Sequence, residues 1–316
     1  ITRGSEGRLT IKVYGAKEIV PAFESMDAVS SGTVEMGHGA PYYWKGKVSA
    51  SQFIASIPFG MTAQELNAWF QFGNGQKLAD KVYRELGTKF FPSGNTGVQA
   101  GGWFNKEINS PEDYKGLKMR IPGLGGEVVK AAGGNVINLP GGEIPPALAT
   151  GAIDATEWVG PWNDLAFGFY KIAKYYYGPG FHEPSSALEC MVNLEAYDAL
   201  PKDLQAIVRH ACAAENARMP SEFTAANSAA QTVLIEKHGV QIGHLPDDVI
   251  REAFRISADV VAETAAADDL AKRIYERWSN FRAEATARRP HPHPGYMHPR
   301  VLLPRQRRTQ HIPPPP

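Results

Sequence analysis

Three residues carry most of the chemistry this chain can do: an arginine, a glutamine and a glutamate. Arg120 closes the short apolar run Leu117-Lys-Met-Arg-Ile-Pro-Gly123. A guanidinium at a strand end can hold a planar carboxylate with two parallel N–H bonds. An ion pair at an exposed strand end is the plainer reading. Gln99 lies in the glycine-rich stretch Phe91 to Phe104. It offers a carbonyl acceptor and an amide donor, to a ligand or to nearby backbone. Glu157 stands beside Trp158 near the end of a strand-like run, Ile153 to Val159. A carboxylate there binds a cation or sits in a salt bridge. The Trp158 ring reads as packing, while its backbone carbonyl can serve a hard cation. Tyr42 and Tyr43, in the loop His38 to Trp44, either close over a ligand or pack beneath the loop. His38 and His182 can act as acid or base; each reads rather as a cleft or packing histidine.

These residues need elements to hold them. Gly7 to Gly15 alternates Leu9, Ile11 and Val13 with polar neighbours and predicts a half-buried strand. Glu24 to Ser31 predicts a short helix closed by Gly32, and Val34 begins a second strand. Strand, helix, strand favours a parallel α/β sheet, whose ligands sit beyond the carboxyl ends of the strands. Thr62 with Glu65 forms a capping box. Gly94, Gly97, Gly101 and Gly102 suit a crossover between two domains, since strand glycines mark bends or close approach. After a Ser110-Pro111 helix entry, the Arg120 strand, helix Gly125–Gly133, strand Val136–Leu139, helix Gly142–Gly151 and strand Ile153–Val159 make a second α/β lobe. Tyr175 to Pro184 reads as a turn-rich second crossover, followed by a strand, Ser186 to Leu194. Leu204, Ile207, Val208, Ala211 and Cys212 then recur at helical spacing. That pattern persists to about Lys237, with a kink or restart at Pro220, and is long enough to brace both lobes. Further helices run to about Glu263 and from Asp268 to Ala287. The basic, Pro-rich stretch 288–316 predicts no fixed structure; its four histidines can bind metal adventitiously.

The whole chain bounds the answer. Its 316 residues, 43% apolar and 21% charged, fit one large or two ordinary globular domains. Lys+Arg and Asp+Glu balance at 33 each, which argues against a nucleic acid partner. The apolar runs are too short and interrupted to span a bilayer. Cys190 and Cys212 form no metal pattern and read as buried thiols, with a single bridge between them as the alternative. No charged-then-apolar leader precedes Ile1; the chain reads as beginning inside a domain, on the tail of a helix.

Three motifs in one order, Gly94-Asn-Thr-Gly-Val-Gln-Ala-Gly-Gly-Trp-Phe104, Leu117 to Gly123 and Gly151-Ala-Ile-Asp-Ala-Thr-Glu-Trp-Val-Gly-Pro161, carry a resemblance. Over roughly residues 1–285 the chain resembles the periplasmic solute-binding proteins of tripartite ATP-independent (TRAP) transporters, the DctP-like family. Ala40-Pro-Tyr-Tyr-Trp44 and Tyr175 to Gly180 point to the branch for 2-oxo acids and related monocarboxylates such as pyruvate and lactate.

The resemblance implies an α/β, two-lobed periplasmic binding protein fold with crossover strands and a long bracing helix. It divides the chain into lobe I, 1–95 plus about 185–220, with its N-terminal part missing. Lobe II and the bracing helices take 96–180 plus about 221–285. The implied function is an extracytoplasmic receptor that delivers a small 2-oxo or 2-hydroxy monocarboxylate to a membrane permease. A sodium or calcium ion would bridge protein and ligand. By matched position, Arg120 pairs with the carboxylate, and Gln99, Glu157 and the Trp158 carbonyl serve the cation. Gln99 also touches ligand, and Glu183 is a candidate for the cation or a ligand hydroxyl. Tyr43 lines the cleft; Asn95 and Phe181 are weaker candidates. Family members also use C-terminal helices to build a homodimer. The competing reading is a metal-assisted enzyme acting on 2-oxo acids, with Glu157 as base. No Ser-His-Asp spacing, phosphate loop or His-based metal motif supports it.

Overall fold

A computed structural model of the chain describes residues 1–287; the predicted unstructured tail, 288–316, lies outside the described residues. Two sheets form the frame. The first joins β1 (Met36–Gly39), β8 (Ala187–Asn193) and β2 (Thr88–Asn95) in that order, both pairings antiparallel. The second has the order β5 (Asn135–Ile137), β4 (Lys118–Arg120), β6 (Ala155–Thr156), β3 (Gly102–Phe104), β7 (Tyr175–Gly178), β9 (Ile242–His244). Within it β5, β4 and β6 are parallel, β3 runs antiparallel to β6 and β7, and β9 is parallel to β7.

The chain passes between the sheets three times: from β2 to β3, from β7 to β8, and from β8 to β9 through the helix Lys202–His238. Gly102 permits the first passage. Its φ is +124°, and a Cβ there would lie 2.5 Å from the Thr156 carbonyl oxygen. In the second sheet the strand period of two sends adjacent aromatics to opposite faces. Trp103 and Tyr176 stack at 4.1 Å on one face, while Phe104 and Tyr177 enter the core on the other. Phe90 of the first sheet packs under Phe53, Trp69 and Phe70, joined by Ile274 and Trp278 of the terminal helix Asp269–Ala287. The capping box forms as read: Thr62 N–H donates to Glu65 Oε2 (2.8 Å), opening helix Ala63–Phe72.

Four expectations need correction. Gly7 to Gly15 is not a strand; Val13 is 84% exposed, because apolar alternation makes a strand only where a sheet edge can pair with it. The first sheet is antiparallel, since β8, returning from the second sheet, separates β1 from β2. Tyr175–Gly178 is a central strand, and the crossover begins only after it. Pro220 does not restart its helix, which continues as one element over 37 residues from Lys202 to His238. A helix-interior proline costs about 3 kcal/mol. Here Val208 and Cys212 bury one half and Ala230 and Leu234 the other, so packing on both sides outweighs one lost bond.

Candidate functional site

Arg120 is the last residue of β4, registered opposite Ile137 and Thr156, and is 1% exposed. Its Nε donates to the Leu139 carbonyl (3.1 Å), one terminal nitrogen to the Tyr43 hydroxyl (3.0 Å) and the other to Glu157. The guanidinium carbon lies 5.2 Å from the Trp158 ring centroid. The same indole packs on Gly141, where a Cβ would lie 2.5 Å from the ring. A guanidinium has five N–H donors, so two remain after these three bonds. Tyr43 belongs to a 3-10 turn, Pro41–Trp44, beyond β1 of the first sheet, so Arg120 already ties the two halves together.

The two crossovers run side by side and carry the other groups. Gly180 N–H donates to the Gln99 carbonyl (2.8 Å), Gln99 N–H to the Glu183 carbonyl (3.2 Å) and Ala100 N–H to the Val159 carbonyl (2.9 Å). This backbone lacing brings Gln99, Glu183 and the Glu157–Val159 segment together. A Cβ on Gly180 would lie 2.7 Å from the Ala100 carbonyl oxygen, so only glycine permits the approach. Gln99 Nε2 then donates to Glu183 Oε2 at 2.7 Å. His182 Nε2 lies 3.4 Å from Glu157 Oε2. One atom from each of Glu157, His182 and Glu183 falls within 4.8 Å of the others.

Asp164 holds the Glu157 segment from below. Its Oδ1 accepts from Val159 N–H (3.3 Å) and Gly160 N–H (3.2 Å), and its Oδ2 from the Trp103 indole (3.0 Å). Burial pushes its carboxyl up to about 7. Burial and then the Glu157 charge push Glu183 well above the usual carboxylate range.

The polar atoms fit a cation. Gln99 Oε1 and His182 Nε2 are buried without hydrogen-bond partners, which is costly unless something else satisfies them. The Trp158 carbonyl accepts no hydrogen bond among the described residues. Carboxylate, amide and backbone oxygens suit a hard ion such as sodium or calcium.

The fold thus brings Arg120, Tyr43, Gln99, Glu157, Trp158 and Glu183 into one place. Asn95 instead accepts from Gly97 N–H (2.8 Å) in a local turn, and Phe181 stacks on Phe59. Exposed His38 lies on edge strand β1, opposite Cys190. His182, read from sequence as a cleft or packing residue, is in the carboxylate cluster. Its position next to Glu183 was the signal for it.

Three comparisons bear on this geometry. Residues 1–268 match the DctP model, described as bacterial extracellular solute-binding protein, family 7. The chain is 44% identical over 283 residues to a monocarboxylate 2-oxoacid-binding periplasmic protein of Nostoc sp., covering 90% of this chain and 78% of that one. Two solved TRAP periplasmic solute-binding proteins superpose with a TM-score of 0.90, each at 42% identity over 94% of this chain. The one from Pseudoalteromonas atlantica, covered over 90% of its length, holds sodium and pyruvate. The one from Colwellia psychrerythraea, covered over 91%, holds calcium and pyruvate.

Proposed function

The chain belongs to the DctP family of bacterial extracellular solute-binding proteins, and from that premise we propose that it is the receptor of a TRAP transporter for a small 2-oxo monocarboxylate. It binds pyruvate or a close analogue together with sodium or calcium and presents the ligand to a membrane permease. Among the described residues no helix is long and apolar enough to cross a membrane.

The observation that carries this reading is a buried guanidinium beside buried, unpartnered oxygen and nitrogen atoms. Arg120 offers its two remaining N–H groups to the ligand carboxylate. Glu157, Gln99 Oε1, the Trp158 carbonyl and Glu183 hold the cation. When bound, the cation supplies a positive centre for the ligand's 2-oxo oxygen. Tyr43 fixes the guanidinium plane and walls the cleft. The charges balance, since Arg120 offsets the ligand and the cation offsets Glu157. The hinge lies in the paired crossovers, between lobe I (1–95, about 185–220) and lobe II with the bracing helices (96–180, about 221–285), of which the terminal one packs on the first sheet.

A receptor leaves its ligand unchanged. Calorimetric titration of pyruvate and lactate, each with sodium, calcium or chelator, tests the assignment. Cation-dependent binding that disappears in Arg120→Ala is expected. Unchanged affinity in that variant, or turnover of the ligand, overturns it.

A further inference from the structure

We infer that His182 is a nitrogen ligand of the cation site, which therefore accepts a borderline divalent ion such as Zn²⁺ or Co²⁺ as well as hard ions. This rests on the receptor reading and adds to it a class of metal.

The histidine is built into the site. It is 2% exposed, and its Nε2 has no hydrogen-bond partner. The imidazole is confined on two sides. A Cβ on Gly125 would lie 2.7 Å from His182 Cβ, and one on Gly180 would lie 3.0 Å from Cε1. Those glycines leave space for this ring and its Nε2. It points to Glu157 Oε2, 3.4 Å away. Tetrahedral ligands at the ~2.1 Å bonds of zinc are roughly 3.4 Å apart. Glu183 completes the group within 4.8 Å, a span that closes by small side-chain movement. Sodium and calcium favour oxygen, whereas imidazole favours zinc, cobalt and nickel. Two carboxylates and one imidazole make a mixed set, and Gln99 Oε1 lies next to it as a further unpartnered oxygen.

The test uses the full chain stripped with chelator and titrated with Zn²⁺, Co²⁺ or Ca²⁺ alone, and separately with pyruvate in the presence of each. The readout is the ratio of Zn²⁺ to Ca²⁺ affinity in wild type and in His182→Gln, which exchanges nitrogen for oxygen. A fall of tenfold or more in that ratio is expected. An unchanged ratio means that zinc binds elsewhere, for instance on the four histidines of the 288–316 segment, and overturns the inference. If His182→Gln does not fold, zinc-edge X-ray absorption of the wild type decides. One imidazole in a spectrum that shifts on adding pyruvate supports the assignment. An all-oxygen shell, or a spectrum indifferent to pyruvate, overturns it. Failure of wild type to bind pyruvate with any cation would instead defeat the receptor reading.

Discussion

Arg120 shares its donors among Leu139, Tyr43 and Glu157 before any ligand arrives. A buried ion pair gains little net stability, because desolvation offsets attraction. The value of this pair lies in holding a charged fork ready in a dry place. Two outcomes follow. Arg120→Lys keeps the charge but loses the planar fork, so pyruvate affinity should fall roughly 10- to 100-fold; calorimetry showing near wild-type affinity would remove the fork from recognition. Tyr43→Phe deletes one hydrogen bond to the guanidinium, worth about 1 kcal/mol or roughly fivefold in Kd. The same titration checks it, and no change would leave Tyr43 as a wall only.

Among elements, the long helix and the crossovers decide most. Pro220 interrupts the hydrogen bonding of a helix that otherwise runs continuously. Pro220→Ala restores one bond and should raise unfolding stability by about 1–3 kcal/mol. Urea denaturation reads this as a higher midpoint at constant slope; an unchanged midpoint would mean that the proline costs nothing here. Two buried carboxyls set a pH dependence. Glu189 on β8 accepts from the Trp44 indole (2.5 Å) and the Tyr83 hydroxyl, and burial pushes it up to about 8. Asp164 stands at about 7. Both folded values lie above the unfolded ones, near 4.5 and 3.8. The stability they contribute is therefore complete below the unfolded values and is lost as pH rises through about 7 and 8. Tm should fall between pH 5 and pH 8.5, and Glu189→Gln should flatten that fall. A variant with the wild-type slope would show that Glu189 keeps no proton in the fold.

At the scale of the molecule, Gln99, Arg120, Glu157 and Glu183 are all 3% exposed or less. A ligand can reach them only if the two halves part. The laced crossovers are the natural hinge, because the one further connection between the sheets is the helix Lys202–His238. Pyruvate with its cation should therefore narrow the small-angle scattering distribution toward the compact form. It should also raise stability by about 2.7 kcal/mol at a hundredfold excess over Kd, seen as a higher Tm. Chelator should reverse that rise where calcium is the bridging ion. A Tm indifferent to pyruvate at millimolar concentration would remove this ligand.

The sequence by itself determined the local devices and the order of motifs. The Thr62–Glu65 cap, the Arg120 strand end and the glycines of the first crossover were legible because each depends on residues a few positions apart. It also named Arg120, Gln99, Glu157, Trp158, Glu183 and Tyr43 as candidates. It misread Gly7 to Gly15 as a strand and the first sheet as parallel, because pairing is a property of a distant partner. Only the tertiary structure decided which candidates meet. Two crossovers 84 positions apart, at Gln99 and Glu183, lie against each other. That contact, made by backbone bonds and a glycine with no room for a Cβ, brings His182 beside Glu157. No spacing along the chain encodes that meeting, since it depends on how the second sheet returns the chain to the first.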